Sequence, residues 1–308
     1  MQTAKLRAFQ VAQWILAIGI VWFALRALRG QWNENASRLA SITPSWGWIA
    51  IATALVLATY VLLIDTWRQI VLAAGERLPF RTAARIWFIS NLGKYVPGKI
   101  WSIAAMTMMA RDNNVSAMAA AGSSVLIQLV TIAAGIGVVL VAGAQAIDKP
   151  SLAVITGVSM VALLAAIPVL LPVAGRVASA LTGKSVSLPV IAPVTVWLAT
   201  ARAVVSWIAY GVAFRFFVIG LLGSATGATS SYVAVYASSY IIGFLALFAP
   251  GGAVVRESAM ITGMLRLGLS GQADALAVAV ASRLWLTVTE LLPGLAYLAL
   301  GKSKARTQ

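Results

Sequence analysis

The sequence holds no cysteine and no histidine. Those absences exclude disulfides, thiolate nucleophiles, Cys or His metal ligands and imidazole acid–base chemistry. Negative charge is scarce too. Asp and Glu number 8 against 23 Lys and Arg, and charged residues make up 10% of the chain, where a soluble domain carries about a quarter. A Gly-rich stretch ending in Lys-Ser/Thr is missing, so there is no P-loop and ATP drive is not expected. Few catalytic constellations can be assembled from what remains. The sequence predicts no enzyme, no metal site and no cofactor.

What is present is hydrocarbon. The chain has 308 residues, 61% of them hydrophobic. Such an excess must face lipid, and strand-like alternation is missing, which argues against a β-barrel. The expected class is an all-α polytopic membrane protein, a single integral membrane domain over 1–308. The net charge of +15 fits basic loops touching anionic headgroups. Nucleic-acid binding would need a solvated basic domain, and no stretch supplies one. Lys5 and Arg7 precede an apolar run from about Phe9 to Leu25. The run ends in "ALRALRG" rather than a small-residue cleavage site, so it reads as a retained first transmembrane helix. Only Gly301 to Gln308 follow the last apolar segment, so no soluble catalytic domain is expected there.

Spanning helices need about 20 mostly apolar residues. They are predicted at 9–28, 46–64, 117–145, 152–172, 191–222 and 273–300. Two segments depart from this template: 83–110, around Pro97-Gly98, and 231–268, around Pro250-Gly251-Gly252. They resemble each other. "ISNLGKYVPGKIW" (89–101) and "IIGFLALFAPGGAVV" (241–255) align Pro97 with Pro250, Gly98 with Gly251 and Leu92 with Leu245. An aromatic, Tyr95 or Phe248, stands two residues before each Pro. The pattern suggests an internal repeat with halves at 46–172 and 191–300.

Charge orients the scheme. With a cytoplasmic N-terminus, the densest basic cluster falls inside: Arg68, Arg77, Arg81, Arg85, Lys94, Lys99 and Arg111. The tail with Lys302, Lys304 and Arg306 falls inside as well. The expected arrangement is about six transmembrane helices plus two re-entrant Pro-Gly hairpins, one opening inward and one outward, in a pseudo-symmetric inverted repeat. Arg26, Arg29 and Arg38 would then be external, against the rule. The alternative is about eight full spans. In either case the protein would sit in the cell (inner, cytoplasmic) membrane with both termini cytoplasmic.

Proline blocks helix continuation and glycine permits the turn. Within hydrocarbon, broken backbone is tolerated only where protein or a water-filled cavity satisfies it. Pro97, Gly98, Pro250, Gly251 and Gly252 therefore predict two hairpin tips around a hydrated space, a pattern that points to a transport site. Surface loops turned by Pro-Gly are the competing explanation. Ionisable groups at depth mark function by default: Arg202, Arg215, Arg256, Glu257, Arg283 and Glu290. Arg283 and Glu290 share a helix face. Glu257 could pair with Arg283 or Arg202, and an ion-pair network that only pins helices together has equal weight. Arg215 could snorkel to the outer interface. Asp65 and Arg68 stand at the predicted end of the second helix. Trp46, Trp48, Trp67, Trp87 and Trp101 suit interface anchors.

"KYVPGKIW" followed by "NNVSAMAA", with "APGGAVVRESAM" followed by "ASRLW" and "TELLPG", resembles the flippase-like membrane domain of the lysylphosphatidylglycerol synthase family. The resemblance covers most of the chain from about the second helix. It implies an integral membrane protein that moves a lipid between leaflets. In full-length relatives a cytoplasmic aminoacyl-transferase domain makes the lysyl-lipid; without that domain, synthesis is not implied. Two departures stand out. "SIAAMTMMA" and "SSVLIQLV" carry no charge where the family often has Arg and an acidic-Arg pair. Ala253-Val254-Val255 replaces the usual Gly-containing spacing of "PGGxGxxE".

The leading expectation is a flippase-like lipid translocator for an anionic or modified phospholipid or lipid-linked headgroup. Lys94, Lys99, Arg256 and Arg283 would attract the phosphate. Glu257 and Glu290 would balance charge or meet a cationic headgroup moiety. Membrane phospholipids are the expected partners. A second reading is a non-transporting, lipid-binding accessory subunit of a lipid-modifying enzyme or glycosyltransferase. A third, a membrane-embedded transferase using Asp65, Glu76 or Asp112, lacks any acidic motif.

Overall fold

The computed structural model describes residues 40–95, 100–149, 151–152, 154–159, 161–162, 166, 192–246, 252 and 254–304. The predicted span at 9–28 and most of that at 152–172 lie outside them. So do Lys99 and the tip residues Pro97, Gly98, Pro250 and Gly251. The chain runs through α1 (Trp46–Ala73), α2 (Phe80–Asn91), a 3-10 turn (Leu92–Tyr95), α3 (Ile100–Arg111) and α4 (Ala117–Ala146). It continues through α5 (Pro193–Leu222), α6 (Thr229–Leu245), α7 (Val255–Arg266) and α8 (Gln272–Lys304). The described residues between 151 and 166 are helical as well, and no described residue forms a strand.

Among the described residues, four helices are long and apolar enough to cross a membrane: Trp46–Ala73, Ala117–Ala146, Pro193–Leu222 and Gln272–Tyr297. Their outward faces carry Ile51, Val61, Leu129, Leu140, Leu198 and Leu292, all exposed, as lipid-facing helices require. The punctuation is local. Ser116 caps α4 by accepting from the Ala119 N–H at 3.4 Å. Pro193 opens α5 at a position where its missing N–H costs nothing. Gly223, at φ +84°, closes α5 in the left-handed conformation. One helix outruns its predicted length. α1 continues through Asp65 and Arg68 to Ala73 because the polar residues bond along one helix face. Asp65 Oδ1 accepts from Arg68 at 3.3 Å and from Gln69 at 3.4 Å.

Side-chain pairings fix the packing directions. Ile49 meets Gly220, and Asp65 meets Arg202, so α1 and α5 are antiparallel. Gly211 abuts Val233, and Arg215 bonds Thr229, so α5 and α6 are antiparallel. The same order of elements occurs twice: a long helix, two short ones, a long helix.

The two departing segments form helical hairpins. α2 and α3 have 12 residues each, α6 has 17 and α7 has 12. At 1.5 Å per residue these reach about 18–25 Å, short of a hydrocarbon core of about 30 Å. Gly243 faces Arg256 while Gly263 faces Val235, so α7 folds back along α6. The ends of each pair meet. Before the first hairpin, Glu76 accepts a hydrogen bond at 3.1 Å from the N–H of Ser116, which follows it. Around the second, Thr226 Oγ1 donates to the Leu269 carbonyl at 2.9 Å. The first closure lies at the C-terminal end of α1. The second lies beside its N-terminal end, where the Ser45 N–H donates to the Gly220 carbonyl at 2.7 Å.

Candidate functional site

Between the two hairpins and the long helices lies a cavity of about 170 Å³. The first hairpin contributes Trp87, Asn91, Ser102 and Ile103; the second contributes Tyr236, Tyr240, Gly243, Phe244 and Arg256. The long helices add Tyr60, Gln128, Thr131, Ser206, Tyr210 and, from α8, Arg283 and Glu290.

Arg256 opens α7 and is buried, 7% exposed. Glycine at position 243 is what lets it sit there: a Cβ on Gly243 would lie 2.7 Å from the Arg256 Cβ. Its guanidinium lies 5.5 Å from the Tyr236 ring and 5.2 Å from the Tyr240 ring, an arrangement that stabilises a cation away from water. Nη2 is nevertheless buried without a hydrogen-bond partner among the described residues. Such a group costs free energy unless a ligand or water satisfies it. The Ser102 hydroxyl and the Trp87 indole N–H are orphaned in the same way, and both line this cavity.

The other predicted charges divide. Arg283 Nη1 stands 3.6 Å from Glu257 Oε1, an ion pair joining α8 to α7. Glu290 Oε1 accepts from the Tyr60 hydroxyl at 3.1 Å. Arg256, Arg283 and Glu290 thus share one cavity, and Glu257 neutralises Arg283. Arg202 takes a different partner. It reaches Asp65 Oδ2 at 3.2 Å, because the antiparallel register of α1 and α5 sets those two side by side. Asp65 is therefore an inter-helix partner within α1, not a group at a helix end. Arg215 does not snorkel: Nη1 donates to the Thr229 hydroxyl, and the guanidinium lies 5.9 Å from the Tyr232 ring. Lys94 lies in the 3-10 turn, its side chain outside the described residues, as is all of Lys99. Of the tip residues, Gly252 is described. It has φ +72°, and a Cβ there would fall 2.7 Å from the Gly243 carbonyl oxygen. No described group of acidic residues could hold a metal.

Two features escaped the sequence reading. Trp67 is fully buried and donates to the Ser123 hydroxyl at 3.2 Å, so it is a core residue and not an interface anchor. The aromatic wall went unnoticed. Tyr60–Tyr210, Tyr210–Tyr236 and Tyr236–Tyr240 ring pairs stand 6.1, 5.7 and 6.4 Å apart. The signal was there: Tyr232, Tyr236 and Tyr240 recur every four residues, which sets them on one helix face.

Residues 10–294 match the family model described as the lysylphosphatidylglycerol synthase TM region. The chain belongs to this family. No curated protein matches it. The synthase TM region is a membrane segment rather than a catalytic domain, in keeping with the long apolar helices. One departure from the family spacing has a structural counterpart. Val254, within Ala253-Val254-Val255, has φ +71°, a conformation that β-branched residues resist.

Proposed function

We propose that this synthase-family membrane region is a lipid translocator. It moves an anionic or modified phospholipid, or a lipid-linked headgroup, between leaflets through the cavity between its two hairpins. The observation that carries this reading is Arg256 Nη2, a buried cationic donor on a cavity wall with no hydrogen-bond partner among the described residues. A headgroup phosphate is the acceptor that suits it. The hairpins are re-entrant in this reading, opening to opposite sides. The meeting of each pair's ends supports that, as does the length of the helices. Residues 46–172 and 191–300 are the two halves of an inverted repeat. The protein lies in the cell membrane with both termini cytoplasmic, and Lys94 and Lys99 add positive charge at the inner tip.

The test is translocation in liposomes bearing fluorescent lipids, read by the rate at which inner-leaflet label reaches an impermeant quencher. Wild-type protein should accelerate exposure of at least one phosphate-bearing lipid. Arg256→Gln should slow it about ten- to a hundredfold, the rate equivalent of a charge-assisted hydrogen bond of about 1.5–3 kcal/mol. Folded protein that accelerates no lipid would overturn the reading and favour a lipid-binding accessory subunit.

A further inference from the structure

Three buried polar atoms on the cavity wall have no hydrogen-bond partner among the described residues: Arg256 Nη2, the Trp87 indole nitrogen and the Ser102 hydroxyl. They come from both hairpins. Trp87 stands on α2 and Ser102 on α3, while Arg256 stands on α7. All three can donate, and an indole N–H can do nothing else. Arg283 and Glu290 are engaged already, by Glu257 and by the Tyr60 hydroxyl, and are not part of this set. The space before the donors is small. At about 170 Å³ it falls below the roughly 300–1,000 Å³ of a pocket for a drug-sized ligand. The aromatic wall has no room to retreat. Trp207, itself buried, packs on Tyr210 and Tyr240 with ring centroids 6.3 and 5.4 Å away. Its N–H donates to the Thr131 carbonyl at 2.8 Å, and a Cβ on Gly135 would stand 2.7 Å from its ring.

We infer that the cavity admits one phosphodiester with a small substituent, clamped by donors from both hairpins, and excludes headgroups that carry a sugar or cyclitol ring. This narrows the translocator reading and rests on it only for movement; the clamp and the size limit are binding properties. The free oxygens of a phosphodiester accept and do not donate, which complements a set made of donors. Arg256 supplies the charge, and Trp87 and Ser102 bond from the opposite hairpin. A lipid without phosphate would leave all three donors unpaired, and a site built to hydrogen-bond a ligand rejects the analogue that lacks the partner. Volume sets the second limit. A glycerol-sized substituent fits beside the phosphate. A six-membered polyol ring would have to displace Tyr210 or Tyr240, which Trp207 holds in place, and overpacking a filled site is costly. The acyl chains stay in the bilayer, because the cavity has no volume for them.

Full-length protein is placed in nanodiscs with equal phosphatidylglycerol, phosphatidylinositol and diacylglycerol, and co-purifying lipid is counted. The first two carry the same charge and differ in headgroup size; the third lacks the phosphate. The expected result is at least a tenfold enrichment of phosphatidylglycerol over each of the others. Trp87→Phe and Ser102→Ala remove a donor and little volume. Each should lower phosphatidylglycerol retention about tenfold, the weight of a hydrogen bond to a charged group. Ile103→Ala enlarges the cavity without touching a donor. It should admit phosphatidylinositol and bring the ratio of the two phospholipids toward one, with Ile132→Ala as the second such variant if the first does not fold. Soluble glycerophosphoglycerol and inorganic phosphate are added in separate arms. Displacement by the diester alone assigns the site to the lipid headgroup, and equal displacement by inorganic phosphate assigns it to phosphate from any source; both support the clamp. Equal retention of phosphatidylglycerol with either other lipid overturns the inference. So does retention unchanged in both Trp87→Phe and Ser102→Ala, in protein that keeps its wild-type thermal midpoint. The two readings fail separately: movement of both phospholipids at equal rates with no selective retention removes the size limit and keeps transport. Selective retention with no translocation does the reverse.

Discussion

Val254 occupies the left-handed region immediately before α7, at φ +71°. That backbone suits glycine, and a non-glycine residue held there costs about 1–3 kcal/mol. Val254→Gly should therefore raise the thermal midpoint in detergent, and a fall would mean that the valine side chain contributes packing that outweighs the strain. The Arg283–Glu257 pair makes an opposite prediction. Removing one partner strands a charge at depth, so Arg283→Gln or Glu257→Gln alone should each destabilise by about 3–5 kcal/mol. The double variant should recover part of that loss; additive losses in a double-mutant cycle would sink the pairing. At this scale the sequence was a partial guide. Arg256, Arg283 and Glu290 stood out because charge is rare in these helices. Which carboxylate meets which arginine depends on register between helices far apart in the chain, so Arg202–Asp65 was not legible. Nor was the burial of Trp67, since an apolar helix gives no cue to which face is lipid and which is core.

The elements themselves were easier to foresee. Pro-Gly at two matching places gave the interruptions, and the structure breaks into short helices on either side of each. What the sequence withheld was how each hairpin is fastened. Ser116 does two jobs: its oxygen caps α4 through the Ala119 N–H, and Glu76 accepts from its N–H. Bonding to the Ser116 hydroxyl and then to its N–H keeps the Glu76 carboxyl below its ordinary 4.5. A depressed carboxyl contributes stability above the unfolded value and loses it as pH falls through the folded one. Protection of the Ser116 amide, its exchange relative to the intrinsic rate at each pH, should therefore fall on acidification below about pH 4.5, and Glu76→Gln should remove that change in protection. Persistence of the dependence in the variant would assign it elsewhere. The α5–α6 contact is as tight. A Cβ on Gly211 would come 2.5 Å from the Val233 backbone, so Gly211→Leu should lower stability by about 1–3 kcal/mol through overpacking.

At the scale of the whole molecule, the two closures stand at opposite ends of the bundle. A protein without cysteine allows this to be tested with single introduced thiols. Arg77→Cys and Asn113→Cys, flanking the first hairpin, should label from one side of the membrane. Ser224→Cys and Gln272→Cys, flanking the second, should label from the other. Labels on opposite sides within either pair would mean full spans instead of re-entrant hairpins. The membrane class was legible from composition alone, because apolar content needs no register to be interpreted. The cavity was not, since its lining comes from all eight named helices. The shortness of α7 bears on how the molecule is made. It carries Arg256, Glu257 and Arg266 in 12 residues, so insertion machinery that weighs hydropathy has little reason to admit it to the bilayer. Its counter-charge, Arg283, lies on α8 and leaves the ribosome later. The long helices must therefore insert first and the second hairpin settle afterwards, out of chain order. A nascent chain stalled before Gln272 would hold that hairpin unseated, open to the proteases that police unfinished membrane proteins.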